Sequence, residues 1–275
     1  MLGRIEKGSR TALVTGGGSG IGKELARQLA RRGFNLLLVS RNAERLSAAA
    51  DELREQYGVE TSYYSIDLAV QDSAYRLYDY CHEQGYTIDL LINDAGMFIY
   101  NDVLKCETRR IEDILNLHVV TLTLLCRLFG EDMAKRGCGW ILNLASYSKW
   151  MCWPGLSVYS ASKNYVEQFS KAFAAEMRES GVKVMAVSPA GVTTDLYGLP
   201  KKLQKVGLYC GILWTPSLIA KVTLNALFWG RRRNLIFAIR SYVPGLLNLV
   251  AIPILTILPR SVVWLARKCT KMLQR

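Results

Sequence analysis

Histidine is scarce in this sequence: only His82 and His118 occur in 275 residues. A zinc site built on imidazoles, or a serine triad that needs a histidine base, has little to draw on, and no metal is expected. The seven cysteines, at 81, 106, 126, 138, 152, 210 and 269, include no C-x-x-C pair, and their number is odd. They read as small buried hydrophobes in a reducing compartment, not as a disulfide frame. Acid is missing from the end of the chain, where Asp195 is the last Asp or Glu. Of the 35 Lys and Arg, 13 lie in residues 196–275, so the net charge of +12 belongs to that end. The first 195 residues hold 22 bases against 23 acids. Such a distribution fits an anionic surface or ligand near the C-terminal end. No nucleic-acid partner is expected, because no basic stripe with interleaved aromatics crosses the chain. No signal-like apolar run precedes Thr11, so a cytoplasmic location is expected. Linkers and repeats are also missing, which leaves one domain and a tail.

What is present is an alternation of short apolar strands with amphipathic helical stretches. Strands are expected over Thr11–Thr15, Phe34–Ser40, Thr61–Asp67, Ile88–Asn93, Gly139–Ala145, Val182–Ser188 and Leu235–Ile239. Helices are expected after the glycines that follow Thr15, and over Ala43–Tyr57, Asp72–Gly85, Arg109–Phe129 and Tyr159–Ser180. Thr215-Pro216 reads as an N-cap and first helical residue, opening a helix to about Gly230. The strands are nearly all apolar, as strands covered on both faces should be. Repeated units of this kind predict an α/β fold: a Rossmann-type, doubly wound parallel sheet in three layers. Residues 1–240 are assigned to that domain and residues 241–275 to a C-terminal apolar and basic helical tail.

The first strand runs into Gly16-Gly17-Gly18-Ser19-Gly20-Ile21-Gly22 and then a helix. Bare backbone N–H groups at a helix N-terminus make a cradle for phosphate. Gly17 to Lys23 also fits the triphosphate loop, but that loop needs Ser or Thr next for magnesium, and Glu24 stands there. A dinucleotide fits better. The second strand ends in Ser40-Arg41, where such a fold meets the ribose 2′ position. An acid would favour the free hydroxyl, whereas Arg41 offers a planar fork to a 2′-phosphate. NADP(H) is therefore the preferred cofactor, with NAD(H) as the alternative.

Tyr159 and Lys163 stand four residues apart near the start of a helical stretch. On a helix they share one face. A phenol titrates near pH ~10, and a neighbouring ammonium favours the phenolate and lowers that value. The pair reads as a tuned acid/base.

Taken together, Thr15-Gly-x-x-x-Gly-x-Gly22, Asn93-x-Ala-Gly96, Asn116, Ser146, Tyr159-x-x-x-Lys163 and Pro189-x-x-Val192-x-Thr194 resemble the short-chain dehydrogenase/reductase family over about residues 8–240. Its lipid-type branch, of 3-oxoacyl reductases and hydroxysteroid dehydrogenases, is nearest in flavour. The resemblance implies a proton relay. Tyr159 would protonate the carbonyl oxygen, Ser146 would hold it, Lys163 would tune the tyrosine and grip the nicotinamide ribose, and Asn116 would position a water that links Lys163 to solvent. It also implies that Gly16, Ser19, Gly20, Ile21 and Gly22 cradle the pyrophosphate. Asp67 and Leu68 would flank the adenine, and Asn93, Ala95 and Gly96 would line its ribose. Pro189, Val192 and Thr194 would meet the carboxamide. Two positions depart from the family pattern: Asp94 replaces the usual second Asn of Asn-Asn-Ala-Gly, and Ala190 replaces a Gly.

In that family three segments border the substrate: Met97–Tyr100, Trp150–Pro154 and Leu196–Leu199. All are apolar or aromatic here. An apolar ketone such as a fatty acyl or steroid-like molecule is expected, reduced by, or formed by oxidation with, the nicotinamide cofactor. The resemblance also implies a homo-oligomer, dimer or tetramer. A cofactor-binding scaffold or sensor at a membrane surface, with little turnover, is the alternative.

The tail holds an apolar run, Leu246–Leu258, interrupted by Asn248, Pro253 and Thr256 and shorter than the ~20 residues a bilayer span needs. After Pro259, Ser261–Arg275 places Val262, Leu265, Cys269 and Met272 on one helical face and Arg267, Lys268, Lys271 and Arg275 on much of the other. Helices of this kind lie in the membrane interface. The expectation is attachment through 246–275 to the cytoplasmic face of a membrane. A tail that covers the pocket or an oligomer interface is the competing account. Flotation with anionic liposomes separates them. The intact protein should float at low salt and be released at high salt, and a chain cut after Pro259 should stay folded but no longer float. An intact protein that stays down at low salt ends the membrane reading.

Overall fold

The computed structural model describes residues 7–211 and 213–229. The chain runs β1 (Thr11–Thr15), α1 (Gly20–Ala30), β2 (Asn35–Ser40), α2 (Ala43–Tyr57), β3 (Thr61–Ser65), α3 (Ser73–Glu83) and β4 (Ile88–Asn93). It continues with α4 (Thr108–Leu115), a π-helical segment (Asn116–Thr121), α5 (Leu122–Lys135), β5 (Gly139–Leu144), α6 (Ser157–Glu176), β6 (Val182–Val187), α7 (Lys201–Tyr209) and α8 (Pro216–Trp229). All strand pairs are parallel, in the order β3-β2-β1-β4-β5-β6.

Side-chain alternation divides each strand between two cores. Ala12 and Val14, Leu36 and Leu38, Leu90 and Ile92 face one side, where Leu25 and Leu29 of α1, Leu46 and Leu53 of α2, and Leu224 of α8 cover them. Leu13, Leu37, Leu91 and Ile141 face the other, under Leu77 of α3, Leu125 and Phe129 of α5, and Val166 of α6. This is the three-layer, doubly wound arrangement expected from the continuous apolar strands. Phe34, just before β2, is fully buried and stacks on Phe228 of α8, which meets Trp140 edge-on.

The helix starts and stops follow local chemistry. The Asn42 side chain accepts the Arg45 N–H at 2.7 Å and caps α2, and Gly58 ends that helix in the left-handed conformation. Thr215 accepts the Leu218 N–H at 3.3 Å, so Thr215-Pro216 does open α8.

Two expectations are corrected, and one helix is new. The third strand stops at Ser65, two residues early, because Ile66 and Leu68 turn into the core beneath α3. The single helix over Arg109–Phe129 is two helices joined by π-helical turns at Asn116–Thr121 and extends to Lys135. A wider turn cannot be read from a 3.6-residue pattern, and such insertions cluster at functional positions. Helix α7 was not anticipated: it has only nine residues with Gly207 near its end, too short a window for a helical period to stand out. The expected strand Leu235–Ile239 and the tail beyond it lie outside the described residues.

Candidate active site

A cleft of about 510 Å³ opens at the carboxyl ends of β1, β4 and β5. Its glycine wall is built by close approach. Gly16 and Gly20 have φ of +74° and +57°, where a side chain would be strained. A Cβ at Gly22 would collide with the Gly16 carbonyl and come within 2.6 Å of the Asp94 carboxyl. Ser19, at the N-cap of α1, makes no side-chain cap bond, so first-turn N–H groups face the cleft. That surface fits a pyrophosphate, as the motif implied. Ile21, Ala95, Gly96, Pro189, Val192 and Thr194 join Gly16, Ser19 and Gly20 in its lining.

Thr15 secures the crossing strand. Its hydroxyl accepts the N–H groups of Asp94 and Ala95, each at 3.1 Å, and donates to the Ile92 carbonyl at 3.2 Å.

Ser146, Tyr159 and Lys163 converge on the same cleft, and all three are buried. Ser146 leaves β5 and accepts the Ser148 N–H at 3.2 Å and hydroxyl at 2.9 Å. Tyr159 and Lys163 project from one face of α6, as their spacing requires. The tuning of the pair differs from expectation. Burial raises the Tyr159 phenol, and the Tyr197 hydroxyl raises it further, while Ser146 opposes both. Lys163 does not offset this: its Nζ donates to the Leu144 carbonyl at 2.9 Å, and burial pushes its own pKa down to about 8, against the pull of Asp94. Desolvation of two neighbouring groups outweighs their mutual effect here.

Three of the expected site residues, Asn93, Leu68 and Asn116, do not line the cleft. Asn93 is inside the sheet: its amide donates to Asn143 at 2.9 Å and does not line the cleft. The Leu68 side chain is in the core, and its carbonyl accepts from Thr121 at 2.9 Å and Ser73 at 3.2 Å. Asn116 begins the π-helical segment and is not among the cleft-lining residues. Ser40, Arg41 and Asp67 gather at the carboxyl ends of β2 and β3, with Ser40 Oγ 3.4 Å from a Cβ built at Gly18 and Arg41 Nη1 3.6 Å from Asp67 Oδ2.

Sequence reasoning gave His118 no role. It is buried, and its Nε2 accepts the Met97 N–H at 3.2 Å. The Nδ1 proton therefore points to Ser162 Oγ, 2.9 Å away, which in turn donates to the Tyr159 carbonyl at 2.8 Å. Burial, helped by Lys163, holds this imidazole neutral. Tyr197 was anticipated only as part of a border segment. It meets Phe98 edge-on at 5.0 Å, Phe98 meets Tyr159 at 4.9 Å, and its hydroxyl reaches Tyr159 and Ser146. Neither role could be read from spacing, because both depend on loops folding back over α6.

An ionic brace starts three residues after Ser146, at Lys149. Lys149 Nζ is 2.8 Å from Glu167 Oε2, with side chains only 8% and 13% exposed. Lys149 donates to Ser188 Oγ at 2.9 Å, Ser188 donates to Glu167 at 2.8 Å, and Lys171 meets the other carboxylate oxygen at 2.9 Å. Three elements, the turn after β5, α6 and the end of β6, are joined through one carboxylate.

The chain matches the sequence profile of the family described as short chain dehydrogenase over residues 10–202. It is 34% identical over 197 residues to the very-long-chain 3-oxoacyl-CoA reductase of Anas platyrhynchos, covering 69% of this chain and 62% of that protein. It is 31% identical over 189 residues to 17-beta-hydroxysteroid dehydrogenase type 3 of Mus musculus, covering 67% and 61%. The match thus spans less than two thirds of the length of either relative. A short-chain dehydrogenase from Sphingobium yanoikuyae, solved in complex with NADPH, superposes with a TM-score of 0.72 at 26% identity, covering 91% of this chain and 96% of that one.

The brace predicts a pH-dependent cost. Burial alone would raise the Glu167 pKa, but hydrogen bonds from Lys149, Lys171 and Ser188 hold it near 2. Its stabilisation is therefore complete above the usual glutamate range and is lost as pH falls toward that value. Glu167→Gln should destabilise the fold by about 3 kcal/mol at neutral pH, the cost of leaving an inside lysine unpaired. Urea unfolding should show this gap closing below pH ~4.

Proposed function

Since the chain belongs to the short-chain dehydrogenase family, we propose that it is an NADP(H)-dependent oxidoreductase that reduces the ketone of an apolar substrate, or oxidises the matching secondary alcohol. The observation that carries this reading is the meeting of Ser146, Tyr159 and Lys163 with a glycine-lined helix N-terminus in one cleft. The nicotinamide supplies and accepts hydride when bound. The rest falls to this chain's own residues. Ser146 and Tyr159 hold the carbonyl oxygen through their hydroxyls, and Tyr159 gives it the proton that makes the alcohol. Lys163 replaces that proton, with Asn116 at the start of the π-helical turns serving the relay to solvent. Gly16, Ser19, Gly20 and Ile21 bind the pyrophosphate, and Ala95, Gly96, Pro189, Val192 and Thr194 hold the rest of the dinucleotide.

The substrate class follows from the rim. Phe98, Tyr159 and Tyr197 form an edge-to-face set. Gly155 lies against Tyr100, and its carbonyl accepts the Asn101 N–H at 2.9 Å, joining the two border segments. These groups suit an apolar body with one carbonyl. The names of the two relatives, a 3-oxoacyl-CoA reductase and a hydroxysteroid dehydrogenase, point to the same class. The domain of residues 1–240, homo-oligomeric assembly and the membrane-facing tail complete the proposal.

A turnover screen of ketones and alcohols with NADPH and NADP+, ordered by hydrophobicity, tests the reaction. Tyr159→Phe should keep cofactor affinity and cut kcat on the best substrate by ~10²–10⁴-fold. Wild-type turnover in that variant would overturn the relay.

Cofactor choice has its own test. Arg41 is exposed at the end of β2, within reach of Asp67 but held by it only loosely at 3.6 Å. A charge-assisted bond to a 2′-phosphate contributes about 1.5–3 kcal/mol, roughly ten- to a hundredfold in affinity. Fluorescence titration should show NADPH binding more tightly than NADH, with Arg41→Ala removing most of the difference. Equal wild-type affinities would refute the assignment.

A further inference from the structure

Two stretches of chain meet at the Tyr159 phenol. One is the turn that leaves β4, where Phe98 lies edge-on to the phenol ring with centroids 4.9 Å apart. The other is α6, which carries Tyr159 itself. His118 is bonded to both. Its Nε2 accepts the Met97 N–H at 3.2 Å, one residue before Phe98. Its Nδ1 lies 2.9 Å from Ser162 Oγ, and Ser162 donates to the Tyr159 carbonyl at 2.8 Å. A backbone N–H can only donate, so Nε2 is bare and the proton sits on Nδ1. Every donor in this chain then points the same way, from Met97 through the imidazole and the hydroxyl to Tyr159. A helical serine often bonds back to a carbonyl one turn earlier. Here the imidazole N–H takes the serine lone pair and so turns the serine proton toward that carbonyl.

The imidazole also meets the phenol ring directly, edge-on at 5.9 Å and 67°. His118, Ser162 and Tyr159 are 1%, 2% and 2% exposed, so water does not compete for these bonds. A Cβ built at Gly96 would come within 3.3 Å of His118 Nε2, so a side chain at residue 96 would crowd the ring. The widened turns of Asn116–Thr121 carry the imidazole, and turns of that kind gather at functional positions.

We propose that His118 is a positioning residue: it ties the β4 exit to the start of α6 and so holds the Tyr159 hydroxyl, against the Phe98 wall, in the place from which it gives up its proton. This rests on the reading of Tyr159 as the proton donor. Histidine suits the task because one rigid ring offers an acceptor and a donor on separate atoms. A shorter or purely apolar side chain would leave the Met97 N–H and the Ser162 hydroxyl without these partners in a buried place.

The geometry is tested first, without substrate. The chain has only two imidazoles, His82 and His118, so a histidine-labelled protein gives a simple spectrum, and His118→Gln assigns it by loss of one set of signals. Long-range nitrogen–proton NMR at pH 7 should show His118 as the neutral Nδ1–H tautomer. An Nε2–H tautomer or an imidazolium there overturns the proposal. Kinetics test the consequence. His118→Gln keeps an acceptor for Met97 and removes the donor to Ser162, while Ser162→Ala cuts the link from the other side. Each should lower kcat on the best ketone by ~10–10²-fold, the cost of misplacing a reacting group by up to ~1 Å, with the dissociation constant for NADPH unchanged. The double variant should be little slower than the slower single, because one chain has been cut twice. A histidine that merely fills the core predicts a lower urea midpoint with kcat unchanged. If His118→Gln does not fold, Ser162→Ala decides, since it leaves the imidazole in place. Wild-type kcat in folded Ser162→Ala, or losses that multiply in the double variant, overturns this proposal alone. A wild-type protein that binds NADPH yet turns over no ketone or alcohol overturns the reading of Tyr159 and this proposal with it.

Discussion

The cleft exists because β1 and β4, side by side in the sheet, send their chains to opposite faces. From β1 the chain turns to α1, whose Leu25 and Leu29 pack on one core; from β4 it leads to α5, whose Leu125 and Phe129 pack on the other. Two neighbouring strands that part in this way leave a gap at their carboxyl ends, and ligands of open α/β sheets bind there. Everything at the site hangs on that divergence. It brings Gly16 against Ala95, lets the Thr15 hydroxyl hold the start of the β4 exit, and places Asp94 under the first turn of α1.

Inside the gap, desolvation sets the electrostatics. Tyr159, Lys163, His118 and Asp94 are all shifted toward their neutral forms, with burial as the largest cause in each case. Pairwise attraction within the cleft only moderates this. The contrast with Glu167 is instructive. That carboxylate is also inside, but two lysines and a serine supply enough hydrogen bonds to keep it ionised. It joins the turn after β5, α6 and the end of β6, whereas Asp94 has, among the described residues, only the Gly22 N–H as a donor to its carboxyl.

The aromatic rim adds a further constraint. Phe98, Tyr159 and Tyr197 touch edge to face, so the Tyr159 phenol is packed by the same rings that, on the proposed reading, would meet an apolar substrate. Position and specificity are therefore not separable at this wall.

The fold class, the alternation of strands and helices, the glycine turn and the shared face of Tyr159 and Lys163 were legible from the chain itself, since they rest on local rules; that Ser146 joins them was implied only by the resemblance to a family. Apolar runs predict covered strands, glycines mark a turn that tolerates no Cβ, and an i, i+4 pair shares a helix face. Where contacts distant in sequence decide, the residues alone were silent or misleading. Asn93 reads as a ligand-lining motif residue, yet pairing of β4 with β5 sets it against Asn143 inside the sheet. The lysine spaced to lower a phenol's pKa is instead bonded to Leu144 and desolvated. His118 and Tyr197 carry no motif at all. Tertiary structure brings them to Tyr159, through π-helical turns and a loop whose geometry depends on what they pack against. Spacing along a chain fixes which side chains share a face, but burial and proximity across the sheet decide which of them hold a charge.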